Sequence, residues 1–126
     1  MKFDAIMPPR EFSVGRAGEI TMKDCGRVRL DTEEQVTFVT GAGAEFDVVR
    51  KAWGFYATPS INGRLKRFGW KTALVRSADA KAYVLLVESG YEKQFGEYLA
   101  SEGHHLVCWL DDDVVLDRIE RMTAET

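Results

Sequence analysis

Seven bases and no acid lie between positions 50 and 76: Arg50, Lys51, Arg64, Lys66, Arg67, Lys71 and Arg76. Five of the fourteen aromatic residues share the stretch, namely Trp53, Phe55, Tyr56, Phe68 and Trp70. Cations beside flat rings suit an anion that carries a planar or sugar-like body. A guanidinium offers a two-pronged fork to phosphate or carboxylate. An indole or phenol ring offers a stacking face. The pattern is densest over residues 53–71. There Arg64, Lys66 and Arg67 are expected to meet negative charge, with Lys71 as a helper. Trp53, Tyr56 and Trp70 are the stacking candidates, and Ser60 and Asn62 would fix orientation from the loop tip Asn62-Gly63-Arg64. The ligand class this predicts is a nucleotide, a sugar phosphate or an acidic sugar. The alternative is plainer: the rings are core, and the basic side chains lie over them with their heads in water. Strand alternation, which sends Arg50 and Lys51 to opposite faces, favours that alternative.

The charge balance narrows the partners. Of 126 residues, 17 are basic and 20 acidic, a net charge of −3. Seven of those bases fall in the segment, so the rest of the chain holds ten bases and all 20 acids. The segment is therefore +7 and the remainder −10. Long duplex nucleic acid is disfavoured, because its affinity rests on many phosphate contacts. The opposed blocks permit a second expectation, a non-catalytic module that docks on an acidic protein surface or on a second copy of itself. A third expectation is an enzyme using His104 or His105 as the acid–base group with Asp111 or Asp112. It stands behind the other two, because adjacent strand residues point apart and sequence neighbours need not converge.

No cofactor or metal is expected. Gly41-Ala42-Gly43 follows a strand like a dinucleotide fingerprint, but Phe46 stands where a third small residue is needed and no acid follows at the ribose position. A hairpin turn explains the glycines better. There is no phosphate-cradling P-loop and no nucleophile elbow. Cys25 and Cys108 form no Cys-x-x-Cys, which predicts reduced thiols, with Cys108 inert in an apolar run. No apolar run approaches the roughly 18 residues of a membrane span. Residues 1–10 lack the apolar stretch of an export signal, so a cytoplasmic protein with no membrane partner is expected.

The elements that must position these residues read as one domain over 1–126. Residues 1–10, with Pro8-Pro9, suggest an extended arm or an edge segment. Residues 19–31 alternate on both sides of Asp24-Cys25-Gly26, which predicts a hairpin turning there. Residues 35–40 are β-branched and aromatic, a strand. Residues 46–52 fit both a helix and a strand, and Gly54 tips the choice to strand. Residues 59–63 read as loop and 65–68 as a helical turn. Strands follow at 70–75 and 81–87, the second apolar throughout and so expected to be central and buried on both faces. Helical spacing of Tyr91, Phe95, Tyr98 and Leu99 comes next, with Ser89 as cap and Gly103 as stop. A strand at 106–110 and a final helix led by Asp111-Asp112-Asp113, with Val115, Ile119 and Met122 on one stripe, complete the chain. The class is α+β: a mostly antiparallel sheet or partial barrel of about six strands, with two C-terminal helices on one face or end.

Overall fold

The computed structural model describes residues 1–124. The chain is α+β, and the described residues form eight strands in three antiparallel sheets, none closed into a barrel, and three helices. It gathers into two compact units. The first comprises Met1–Val36 and Val48–Ala57, the second Thr37–Asp47 and the chain from Thr58 on.

The first unit is built on a long ribbon of β1 (Lys2–Val14) and β2 (Ile20–Arg29). Gly15 and Gly18 make the reversal, both at positive φ (97° and 70°), which glycine adopts without a Cβ penalty. Residues 1–10 are thus an edge segment paired along this ribbon rather than a free arm, and no turn occurs at 24–26. The prolines explain both features. Ala5 pairs with Gly26 and Arg10 with Asp24, so the four residues 6–9 face Cys25 alone. This irregularity takes Pro8-Pro9, which have no N–H to donate, out of the ladder. Gly26 lies beside it at φ 147°, and a Cβ there would meet the Asp4 carbonyl oxygen at 2.4 Å. The turn-like composition of 24–26 therefore serves a close strand crossing. No side chain among residues 1–36 is buried.

β3 (Gln35–Val39) and β4 (Glu45–Lys51) form the next hairpin, and β5 (Gly54–Tyr56) adds to β4, with Arg50 opposite Phe55. Residues 46–52 are strand through Lys51, as Gly54 suggested. The main chain of Arg50 is held on both sides, its N–H by Glu34 O (3.0 Å) and its C=O by Glu33 N–H (2.7 Å). At the other end Gly41-Ala42-Gly43 makes the expected turn, where Gly43 N–H reaches Thr40 O.

The second unit centres on a sheet ordered β7 (Ala82–Glu88), β6 (Trp70–Arg76), β8 (His105–Trp109). Ala73, Val75, Val87 and Leu99 form its core, with Leu85, Phe95, Leu106 and Trp109 packed around them. The central strand is β6, not the apolar run at 81–87. β7 is an edge strand, and Tyr83 and Val84 stand 41% and 61% exposed. An unbroken apolar run shows that a strand can be covered on both faces, not that it is. The short helix α1 (Arg64–Arg67) precedes β6 and buries Leu65 completely. Helix α2 (Glu92–Glu102) starts at Tyr91 rather than Ser89, while Glu92 accepts from Gly90 N–H. Gly103 ends it in the left-handed conformation, as expected. Between β6 and β7 the Ser77 hydroxyl donates to Asp79 and, with Lys81 Nζ at 3.5 Å, holds that carboxyl below its ordinary range. Helix α3 (Asp113–Ala124) buries no side chain fully, and along the stripe Val115 is half-buried while Ile119 and Met122 are exposed.

Candidate functional site: a mixed-charge cleft in the second unit

β6 runs antiparallel to both its neighbours, so its first residues lie beside the last residues of β7 and β8. A cleft of about 670 Å³ opens at that end of the sheet. α1 supplies Lys66, β6 supplies Trp70 and Lys71, and Ser89 follows β7. Trp109 closes β8, and Asp111, Asp112 and Asp113 lead into α3.

Each of the three carboxylates already accepts a hydrogen bond. Asp111 is 4% exposed, and its Oδ1 accepts from the buried Thr72 N–H at 2.8 Å. Asp112 Oδ1 accepts from Val114 N–H at 2.9 Å and so caps α3. Asp113 Oδ1 accepts from Asn62 Nδ2 at 2.9 Å. The two ammonium groups are held differently. Lys66 Nζ donates to the main-chain oxygen of Asp111 at 3.4 Å. Lys71 Nζ sits 3.9 Å from the centre of the Trp109 ring, a cation–π contact. Among the described residues neither lysine forms an ion pair. Neither ammonium is neutralised by a contact ion pair, although the lining as a whole carries two positive and three negative side chains.

The residues singled out by sequence divide sharply. Lys66, Trp70 and Lys71 reach the cleft. Trp53 and Tyr56 belong to the first unit, where their rings meet edge to face at 5.7 Å and Trp53 is 70% exposed. Ser60 spends its hydroxyl on Arg64 N–H (2.9 Å), and Asn62 is bound to Asp113. Arg64 is paired with the buried Asp47, Nη2 to Oδ2 at 2.7 Å. Arg67 is exposed and outside the cleft lining. Trp70 is 7% exposed, donates Nε1–H to Glu45 O at 2.8 Å and packs edge-on against Phe46, so it is a wall and not a stacking platform.

Sequence reasoning missed Ser89, Trp109 and the aspartates as neighbours of Lys66 and Lys71. Only the antiparallel pairing of β8 with β6 brings Asp111 beside Thr72. The histidines lie elsewhere. His104 stacks on Tyr83 (5.6 Å) and meets Tyr98 edge-on (6.4 Å). At about 3.3 Å per strand residue, His105 is roughly 20 Å along the chain from Asp111. Cys25 is exposed and Cys108 half-buried, and both are free thiols. Among the described residues no three His, Cys, Asp or Glu side chains converge as metal ligands, and no helix is long and apolar enough to cross a membrane.

Fold and site together define an α+β protein with a lysine- and aspartate-lined cleft at one end of a three-stranded sheet. No protein-family model, curated protein or solved structure matches the chain.

Proposed function

We propose that the second unit is a binding module for an acidic sugar or a sugar phosphate, held in this cleft. The observation that carries the reading is the pair of lysines without carboxylate partners opposite aspartates that are already engaged. Lys66 and Lys71 would take the anionic group as charge-assisted donors. The exposed Asp112 and Asp113 retain lone pairs that accept from hydroxyl groups, since one carboxylate offers about four acceptor sites. A sugar supplies many such hydroxyls. A nucleotide base would need an open ring, but Trp70 is buried and Lys71 already covers Trp109. No step of this reading involves a metal or a covalent reaction.

Calorimetry with a panel of sugar phosphates, uronic acids and nucleotides checks it. At least one acidic sugar should bind, and Lys66→Ala with Lys71→Ala should weaken it by about tenfold or more, the scale of losing one or two hydrogen bonds to charged groups. Melting should barely move, because Lys66 is exposed and Lys71 only half-buried. A silent panel, or a double variant that binds like the parent, ends the reading.

A second reading, self-association, has its own observation. The β1–β2 ribbon buries no side chain and exposes Phe3, Met7, Met22 and Val28. A two-stranded ribbon is marginal on its own, and among the described residues each of these strands pairs with only one neighbour. The open edges of two copies can pair about a two-fold axis. Light scattering across a hundredfold range of concentration should then show a dimer. A monomer at every concentration rejects this reading.

A further inference from the structure

We propose that the first unit carries a separate pocket for the phosphoryl group of a small phosphomonoester. Three guanidinium groups, Arg27, Arg29 and Arg50, line a hollow of about 250 Å³ with Phe55 and Asp4. Arg27 and Arg29 are two apart on β2 and so share a face. Across the ladder, Arg27 is opposite Asp4 and Arg29 opposite Lys2. Asp4 lies 3.7 Å from Lys2 Nζ and is the only carboxylate in the lining. Among the described residues none of the three arginines has a carboxylate within 4 Å.

Three cations around a small concavity repel one another, and an anion placed among them turns that repulsion into attraction. Arg50 is the fixed member. Its Nη1 donates to Gly54 O at 3.1 Å, its main chain is held on both sides, and it stands 5.5 Å over the Phe55 ring. Arg27 and Arg29 are exposed and can close onto a ligand. A phosphoryl group presents three oxygens to three guanidiniums, and each fork can bind it through two N–H groups. Phe55, 52% exposed, and Leu30 add an apolar wall that bare phosphate would leave unused. The volume lies below the range that holds drug-sized ligands, so one ring or a short alkyl body is the limit.

The test titrates the full chain with phenyl phosphate and with inorganic phosphate, followed by amide NMR shifts and calorimetry. Phenyl phosphate should bind, move the amides of residues 27–30, 50 and 55, and bind more tightly than inorganic phosphate. Raising the salt should weaken it, as for any exposed charge pairing. Arg27→Ala with Arg29→Ala should weaken it at least tenfold without a change in melting. Arg27→Lys with Arg29→Lys should recover part of the loss, because lysine keeps the charge but not the fork. Lys66→Ala with Lys71→Ala should leave the ligand-induced shifts of residues 27–30, 50 and 55 unchanged, which separates this pocket from the cleft of the second unit. Equal affinity for the two probes overturns the assignment to an ester. Absence of binding, or retention of binding in the double alanine variant, overturns the pocket itself.

Discussion

Asp111→Ala should cost about 3 kcal/mol of stability, the largest effect expected from a single change in the second unit. Thr72 is 1% exposed, and its N–H points at Asp111 Oδ1. Alanine leaves that donor buried with no acceptor, a penalty of about 1–3 kcal/mol, and removes a charged hydrogen bond worth about 1.5–3 kcal/mol, two overlapping costs that do not simply add. The neighbouring link, Leu110 N–H to Thr72 O at 2.8 Å, then still ties Thr72 to the segment after β8 through the main chain. Asp111→Asn keeps an oxygen at the same place and should lose about 1 kcal/mol. Urea denaturation of the two variants checks the order. If alanine and asparagine cost the same, the N–H of Thr72 has found another partner and the role given to Asp111 is wrong. The loss should also reach the cleft, because the main-chain oxygen of this residue holds Lys66.

Arg64→Ala is the second large effect, and it should appear in stability rather than in binding. The Asp47 side chain is 7% exposed while that of Arg64 is 50% exposed, so the pair is half screened by water. Removing a partner from a fully buried pair costs about 3–5 kcal/mol. Solvent on the arginine side brings the expected loss down to about 1–2 kcal/mol. Thr37 Oγ1 donates to Asp47 Oδ1 at 2.7 Å, and this bond survives in Asp47→Asn. The double variant Arg64→Ala with Asp47→Asn should therefore recover part of what Arg64→Ala loses, because no charge is left stranded. A double-mutant cycle by thermal melting measures the coupling, expected at 1 kcal/mol or more, about the scale seen for contacting residues. Additive losses would show that the two side chains do not depend on each other. Arg64→Ala should leave ligand affinity in the cleft nearly unchanged, in contrast to Lys66→Ala with Lys71→Ala.

The composition of the basic segment foretold that cations and rings would be neighbours, and they are. Within the segment Arg64 lies 5.0 Å from the centre of the Phe68 ring, Arg50 5.5 Å from that of Phe55 and Lys51 5.9 Å from that of Tyr56, whereas Lys71 lies over Trp109, which is outside it. It did not foretell which of them would remain available. Arg64 and Trp70 carry the same chemical promise as Lys66 and Lys71. The difference is that the first residues of β4 bring a buried carboxylate to Arg64 and a carbonyl to the Trp70 indole. Those partners are 17 and 25 residues away in sequence, beyond the reach of any local pattern.

Alternation, glycine placement and helical spacing are local properties, and they sufficed for the α+β class, the strands at β3 and β6, the helix α2 and its stop at Gly103, while β4 stood open between strand and helix with Gly54 to favour strand. Each is set by backbone geometry over a few residues, which side-chain order records directly. Strand order is different. That β6 rather than β7 is central, that Pro8-Pro9 bulge out of a ladder instead of ending it, and that the aspartates after β8 come to face the lysines around β6 all depend on pairing between distant segments. Such pairing is decided by the free energy of burying a whole face, to which many residues contribute and none is a marker.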